Sequence, residues 1–86
     1  MKVTYEITAI MDNQVLRRKC YSIYEAQRAW LFIKVKNIDS LKKMYCRFVI
    51  TKNKYRVLHK ETLWKSYFIN GKEYVCPPCN EDFKKG

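Results

Sequence analysis

The run Ser22-Ile23-Tyr24-Glu25 is the strongest constraint on how this chain folds, because it places the start of a helix. Ser22 can accept from the amide three residues on, and Glu25 can reach back, which is a capping box. Tyr21 and Ala26 stand at the staple positions around it. Beyond the cap, Ile23, Ala26, Ala29, Trp30 and Ile33 recur at helical spacing and form one apolar stripe. Arg28 and Lys34 fall off that stripe, as do Leu31 and Phe32. Asn37 supplies a stop before Asp39-Ser40. The β-formers between Trp30 and Lys36 pull toward a strand, but the cap and the unbroken stripe predict a helix throughout.

On both sides of this helix the apolar period is two. Val3, Tyr5, Ile7 and Ala9 alternate with Thr4, Glu6 and Thr8, the pattern of a half-buried strand. Asp12-Asn13-Gln14 has turn chemistry, and Val15–Tyr21 returns as a second strand. Arg17, Arg18 and Lys19 suit a sheet edge. After the helix, Met44, Cys46, Phe48 and Ile50 alternate with Tyr45, Arg47, Val49 and Thr51. Lys52-Asn53-Lys54 supplies a turn, and Tyr55–Leu63 returns. Trp64–Ile69, Asn70-Gly71 and Lys72–Cys76 then form a hairpin, since Asn-Gly readily takes the positive φ values of a type I′ turn. Its two-residue turn pairs Ile69 with Lys72 and Tyr67 with Tyr74. Pro77-Pro78 ends the ladder.

Eighty-six residues allow one small domain. The expected architecture is α+β, one helix packed on an antiparallel sheet in the order ββα-ββββ. Residues 1–79 form the domain and 80–86 a short flexible tail. The core should combine the helix stripe, the odd-numbered face of Val3–Ala9, and Met44, Phe48 and Ile50. A content of 48% hydrophobic and 15% aromatic residues argues against disorder along the chain. The longest apolar run, Ala29–Ile33, is far short of a membrane span, and the N-terminus has no apolar core of a signal peptide.

Charge narrows the class of partner. Eighteen Lys+Arg stand against eight Asp+Glu, a net charge of +10. The excess is clustered: from Lys34 to Lys60 there are nine basic residues and one acid, Asp39, a net +8. Lysine-rich strands also keep a small domain soluble and blunt its edges, but this clustering exceeds that need. It points to a polyanion. The expected contacts are Lys43, Arg47, Lys52, Lys54, Arg56 and Lys60 on phosphates, with Tyr45 or Tyr55 stacking on unpaired bases. No RNP1-like run, GXXG loop, helix-turn-helix or zinc-finger spacing accompanies them.

The four cysteines are Cys20, Cys46, Cys76 and Cys79. With no secretion signal, a reducing cytoplasm is expected. Cys76-Pro77-Pro78-Cys79 can place two thiolates on one tetrahedral metal. Cys46 and His59 are the candidates to complete a zinc site, with Cys20 as a spare, because a two-residue turn at Lys52-Asn53 would pair Cys46 with His59 across the strands. The alternative is a plain turn at Cys76–Cys79 with the cysteines as buried apolar residues. A second CxxC is missing, and seven residues after Cys79 leave no room for the helix of a thioredoxin-like site. No nucleophile elbow, phosphate loop or carboxylate cluster is present, so no catalytic residue is expected.

The expected function is thus a non-enzymatic nucleic-acid-binding module. The alternative is an inhibitor or adaptor that binds a partner protein, or a second copy of itself, through the basic face and an apolar patch at Leu31 and Phe32. The short Lys/Tyr-rich chain with a capped helix after a hairpin resembles in general makeup the small accessory proteins of phages and mobile elements.

Overall fold

Ser22 opens the helix as its sequence predicts. In the computed structural model, which describes residues 1–76, Ser22 is extended at φ −147° and ψ 159°, and its hydroxyl accepts from the Glu25 amide at 3.1 Å. Glu25 reaches back one residue further than a standard box, accepting from the Tyr21 amide at 3.0 Å. Tyr21 stays 59% exposed, with the Lys2 ammonium 5.9 Å from its ring centroid. The helix, α1, runs Ile23–Asn37. At its end the Asn37 side-chain amide donates to the Ile33 carbonyl at 2.9 Å, and the Ser40 amide donates to the Asn37 carbonyl at 3.0 Å.

The strands are β1 (Lys2–Met11), β2 (Val15–Cys20), β3 (Leu41–Asn53), β4 (Arg56–Ile69) and β5 (Lys72–Cys76). They form one antiparallel sheet in the order β2-β1-β3-β4-β5. The α+β class, with one helix on an antiparallel sheet, is therefore the fold. The segments Tyr55–Leu63 and Trp64–Ile69 are a single strand. What separates them is a register shift: Cys46 pairs with Trp64 but Arg47 pairs with Thr62, so Leu63 is the extra residue of a bulge. The basic strand β2 lies at the sheet edge. Asn70 and Gly71 take φ of 51° and 79°, and Ile69 pairs with Lys72 and Tyr67 with Tyr74. Pro77 to Gly86, which include Cys79 and the expected tail, lie outside the described residues.

The helix crosses the β2-β1-β3 half of one sheet face. Because side chains alternate along a strand, the registers assign Ile7, Ala9, Cys20, Met44, Cys46 and Trp64 to the face beneath it. Ile7, Ala9, Cys20, Met44 and Cys46 are fully buried there with Ala26. Ala29, Trp30 and Ile33 complete the stripe, whereas Ile23 is 36% exposed. Trp30 meets Trp64 edge-to-face at 5.8 Å, which ties the helix to β4. Phe48 and Ile50 are only half-buried, because the helix does not extend over that end of the sheet. There Phe48 packs instead between Tyr5, at 5.6 Å, and His59, at 6.3 Å.

A polar staple joins the helix to the far strands. Lys34 Nζ lies 2.9 Å from Glu73 Oε1, and the Ser66 hydroxyl donates to Glu73 Oε2 at 2.7 Å. Burial pushes the Glu73 carboxyl up, but the Ser66 and Lys34 hydrogen bonds and the Lys34 charge outweigh it and hold it below the ordinary glutamate value. A lowered folded-state pKa stabilises the protein above the unfolded value of about 4.3 and is lost as pH falls through the folded value. Glu73→Gln should thus cost about 1 kcal/mol at neutral pH and flatten the loss of stability on acidification, measured by denaturant melts across pH. Trp30→Ala should cost about 3–5 kcal/mol. A loss well under 1 kcal/mol in the same melts would show that the Trp30–Trp64 contact does not hold the helix down.

Candidate nucleic-acid interface

The sheet face turned away from the helix has no covering element among the described residues. Alternation along each strand and the observed registers decide its membership. From β2 come Arg17 and Lys19, opposite Thr8 and Glu6 of β1. Glu6 and Thr8 in turn lie opposite Arg47 and Tyr45 of β3. On β4, Thr62 and Lys65 face Arg47 and Tyr45, Tyr67 faces Lys43, and Lys60 faces Val49. On β5, Tyr74 faces Tyr67 and Lys72 faces Ile69. Lys43, Tyr45, Arg47, Lys60, Thr62 and Lys65, with Glu61, border a shallow concavity of about 400 Å³. A neighbouring one of about 390 Å³ adds Arg17 and Lys19.

This face is cationic and largely uncompensated. Glu6 is the carboxylate among these strand positions, and Glu61, which also borders the concavity, contacts His59. The ion pairs among the described residues are Lys34–Glu73, Lys42–Asp12 and His59–Glu61, and none uses a cation of this face. Three of the cations lie instead over tyrosine rings. The Lys43 ammonium is 5.5 Å from the centroids of both Tyr45 and Tyr67, the Arg47 guanidinium 5.2 Å from Tyr45, and the Lys65 ammonium 5.8 Å from Tyr67. Three positions depart from simple alternation of exposure: Thr4 and Val49, cross-strand partners on this face, and Thr8 are buried.

The electrostatics register on Tyr45. Burial pushes its phenol up, yet polar contact with Thr8 and Arg47, together with the Arg47 and Lys43 charges, brings it below the ordinary tyrosine value.

Sequence reading named part of this surface. Lys43, Tyr45, Arg47 and Lys60 are brought together on it. Lys52, Lys54, Tyr55 and Arg56 are not; they occupy the tip of the β3–β4 hairpin, where Tyr55 is 87% exposed with the Lys54 ammonium 5.6 Å from its ring. Arg17, Lys19, Lys65, Tyr67 and Tyr74 were missed. Their signal was strand parity, which becomes informative only once the register is known.

The proposed cross-strand pairing of Cys46 with His59 needs correction. The hairpin turns at Lys54-Tyr55, because the Asn53 carboxamide oxygen accepts from the Tyr55 amide at 2.8 Å and so moves the turn off Lys52-Asn53. With the register shifts beyond it, Cys46 pairs with Trp64 and His59 with Ile50. Cys46 is buried beneath the helix, where burial, then Cys20 and Glu6, push its thiol up to about 12. His59 is exposed and shares a 2.9 Å contact with Glu61. The Cys76 side chain and Cys79 lie outside the described residues. Among the described residues no group of three or more His, Cys, Asp or Glu converges on a metal position.

On the opposite side of the molecule, Leu31 and Phe32 are 55% and 60% exposed, as their off-stripe phase predicts. Val35 joins them, flanked by Arg28 and Lys36. No described helix is long and apolar enough to cross a membrane. Comparison with protein-family models, curated proteins and solved structures finds no match for this chain.

Arg47→Ala should raise the Tyr45 phenol, since it removes a hydrogen bond and a charge that both favour phenolate. Ultraviolet titration against a Tyr45→Phe reference reads this directly. An unchanged Tyr45 transition would show that Arg47 does not act on the ring.

Proposed function

We propose that this chain binds nucleic acid, with the open sheet face on the phosphate backbone. The observation that carries the reading is the set of cations on that face without carboxylate partners. Like charges held at neighbouring strand positions repel and weaken a sheet. A polyanion removes that repulsion and releases its own counterions on binding. The contacts are phosphate contacts and so largely independent of sequence. Arg47 and Lys65 lie on adjacent strands at the middle of the face, with Lys43, Lys60, Arg17 and Lys19 around them. The hairpin-tip cations Lys52, Lys54 and Arg56 add further positive charge beyond this face.

Fluorescence anisotropy with labelled oligonucleotides across a salt series tests this reading. Affinity should fall steeply with salt. Arg47→Ala with Lys65→Ala should weaken binding and reduce the logarithmic salt slope by roughly 0.7–0.9 for each phosphate that is no longer neutralised. No binding at low salt, or a slope the substitutions leave untouched, would sink it.

The exposed strip on α1 favours a second reading, an inhibitor or adaptor that docks on a partner protein. Leu31, Phe32 and Val35 form an apolar surface rimmed by Arg28 and Lys36, and surfaces of this kind mark protein contacts. Leu31→Ser with Phe32→Ser should leave oligonucleotide affinity within twofold, because these residues lie on the other side of the molecule. A severalfold loss in the same anisotropy assay would place the nucleic-acid contact on the helix instead.

A further inference from the structure

We infer that the open face takes an unpaired strand rather than a duplex, with bases stacking on Tyr67 and Tyr74; this rests on the nucleic-acid reading above. The two tyrosines are direct cross-strand partners on β4 and β5. They are 40% and 47% exposed, so their rings remain available. Tyr45, one strand further in and diagonal to Tyr67, is half-buried, and the three form a stepped aromatic row across β3, β4 and β5. Cations line the same row: Lys43 lies 5.5 Å from the centroids of both Tyr45 and Tyr67, and Lys65 lies 5.8 Å from Tyr67.

An unpaired base has a free π-face and a flexible backbone, so it can lie on a ring while its phosphate reaches a neighbouring ammonium. A duplex buries those π-faces in its own stack and presents only phosphates to such a surface. Among the described residues, this face also carries no part that could enter a major groove. The helix lies on the opposite face, over the core. The β3–β4 hairpin passes the last β1 pair, Lys2 with Thr51, by only the tip residues between Lys52 and Arg56, too short to lay a ribbon along a groove. The aromatic row therefore separates this face from a merely cationic one, on which single and double strands would compete by charge density alone.

The test compares three labelled probes of equal length by anisotropy at one moderate salt concentration: oligothymidylate, an abasic strand with the same phosphates, and a duplex. The expected order places oligothymidylate tightest, roughly tenfold or more over the abasic strand, in line with the stacking contribution of one or more bases. Tyr67→Leu with Tyr74→Leu should abolish that preference and keep the salt slope. Tyr67→Phe with Tyr74→Phe should retain the preference, which excludes loss of fold as the cause. Equal affinity for oligothymidylate and the abasic strand, or tighter binding of the duplex, would overturn base stacking while the phosphate-binding reading stands. Absence of binding to every probe at low salt would remove both.

Discussion

A single helix of 15 residues has to close the core of a five-stranded sheet, and it can cover only one face. This shortage of cover governs the rest of the molecule. The side chains beneath the helix are apolar and close-packed, with Ile7, Ala9, Met44 and Cys46 fully buried. The Trp30–Trp64 contact extends that core sideways to β4, and the Lys34–Glu73–Ser66 staple holds the helix to the far strands by charge. The other face is left to water, and its residues must be soluble and compatible with strand geometry. Lysine, arginine, threonine and tyrosine meet both demands.

Solubility alone does not account for how those residues are arranged. Mixed signs would serve it as well and would repel less. Here the cations of β2, β3 and β4 converge with Glu6 and Glu61 as the nearby opposing charges, and neither forms an ion pair with them. Lys34 and Lys42 have carboxylates, but Lys43, Lys65 and Arg47 have tyrosine rings. A ring offsets part of the repulsion without neutralising the charge, so the surface keeps its field. Against the upward push of burial, the Tyr45 phenol is lowered first by its polar contacts with Thr8 and Arg47 and then by the Arg47 and Lys43 charges. The apolar strip on the outer side of α1 is a separate surface with separate chemistry. The helix thus carries apolar residues on both sides, the inner set for the core and the outer set left exposed.

Much of the fold was legible because its signals are local. The cap at Ser22 and Glu25, the stripe from Ala26 to Ile33, the alternation in β1 and the Asn70-Gly71 turn each depend on residues a few positions apart. The edge position of β2 was legible too, from Arg17, Arg18 and Lys19. Exposure of Leu31 and Phe32 followed from helix phase. The candidate surface was legible in sign and approximate place, through Lys43, Tyr45, Arg47 and Lys60, since the charge cluster is itself local in sequence.

Register was not legible. One hydrogen bond from the Tyr55 amide to Asn53 moves the β3–β4 turn, and the bulge at Leu63 joins two segments into one strand. Those small choices decide that Cys46 meets Trp64 and not His59, and that Lys65 and Tyr67 stand beside Tyr45 and Lys43. The β1–β3 register, equally silent in the sequence, places Val49, read as an outward residue, beside Thr4, where both are buried. By itself the sequence determined the elements, the face each residue prefers and the excess of positive charge, because propensity, capping and period act over a few residues. Only the tertiary structure decided which strands lie side by side and so which distant cations and tyrosines share one surface. Pairing across a sheet is set by turns and bulges whose alternatives differ by a single residue, and each such step exchanges the neighbours of every side chain on the strand.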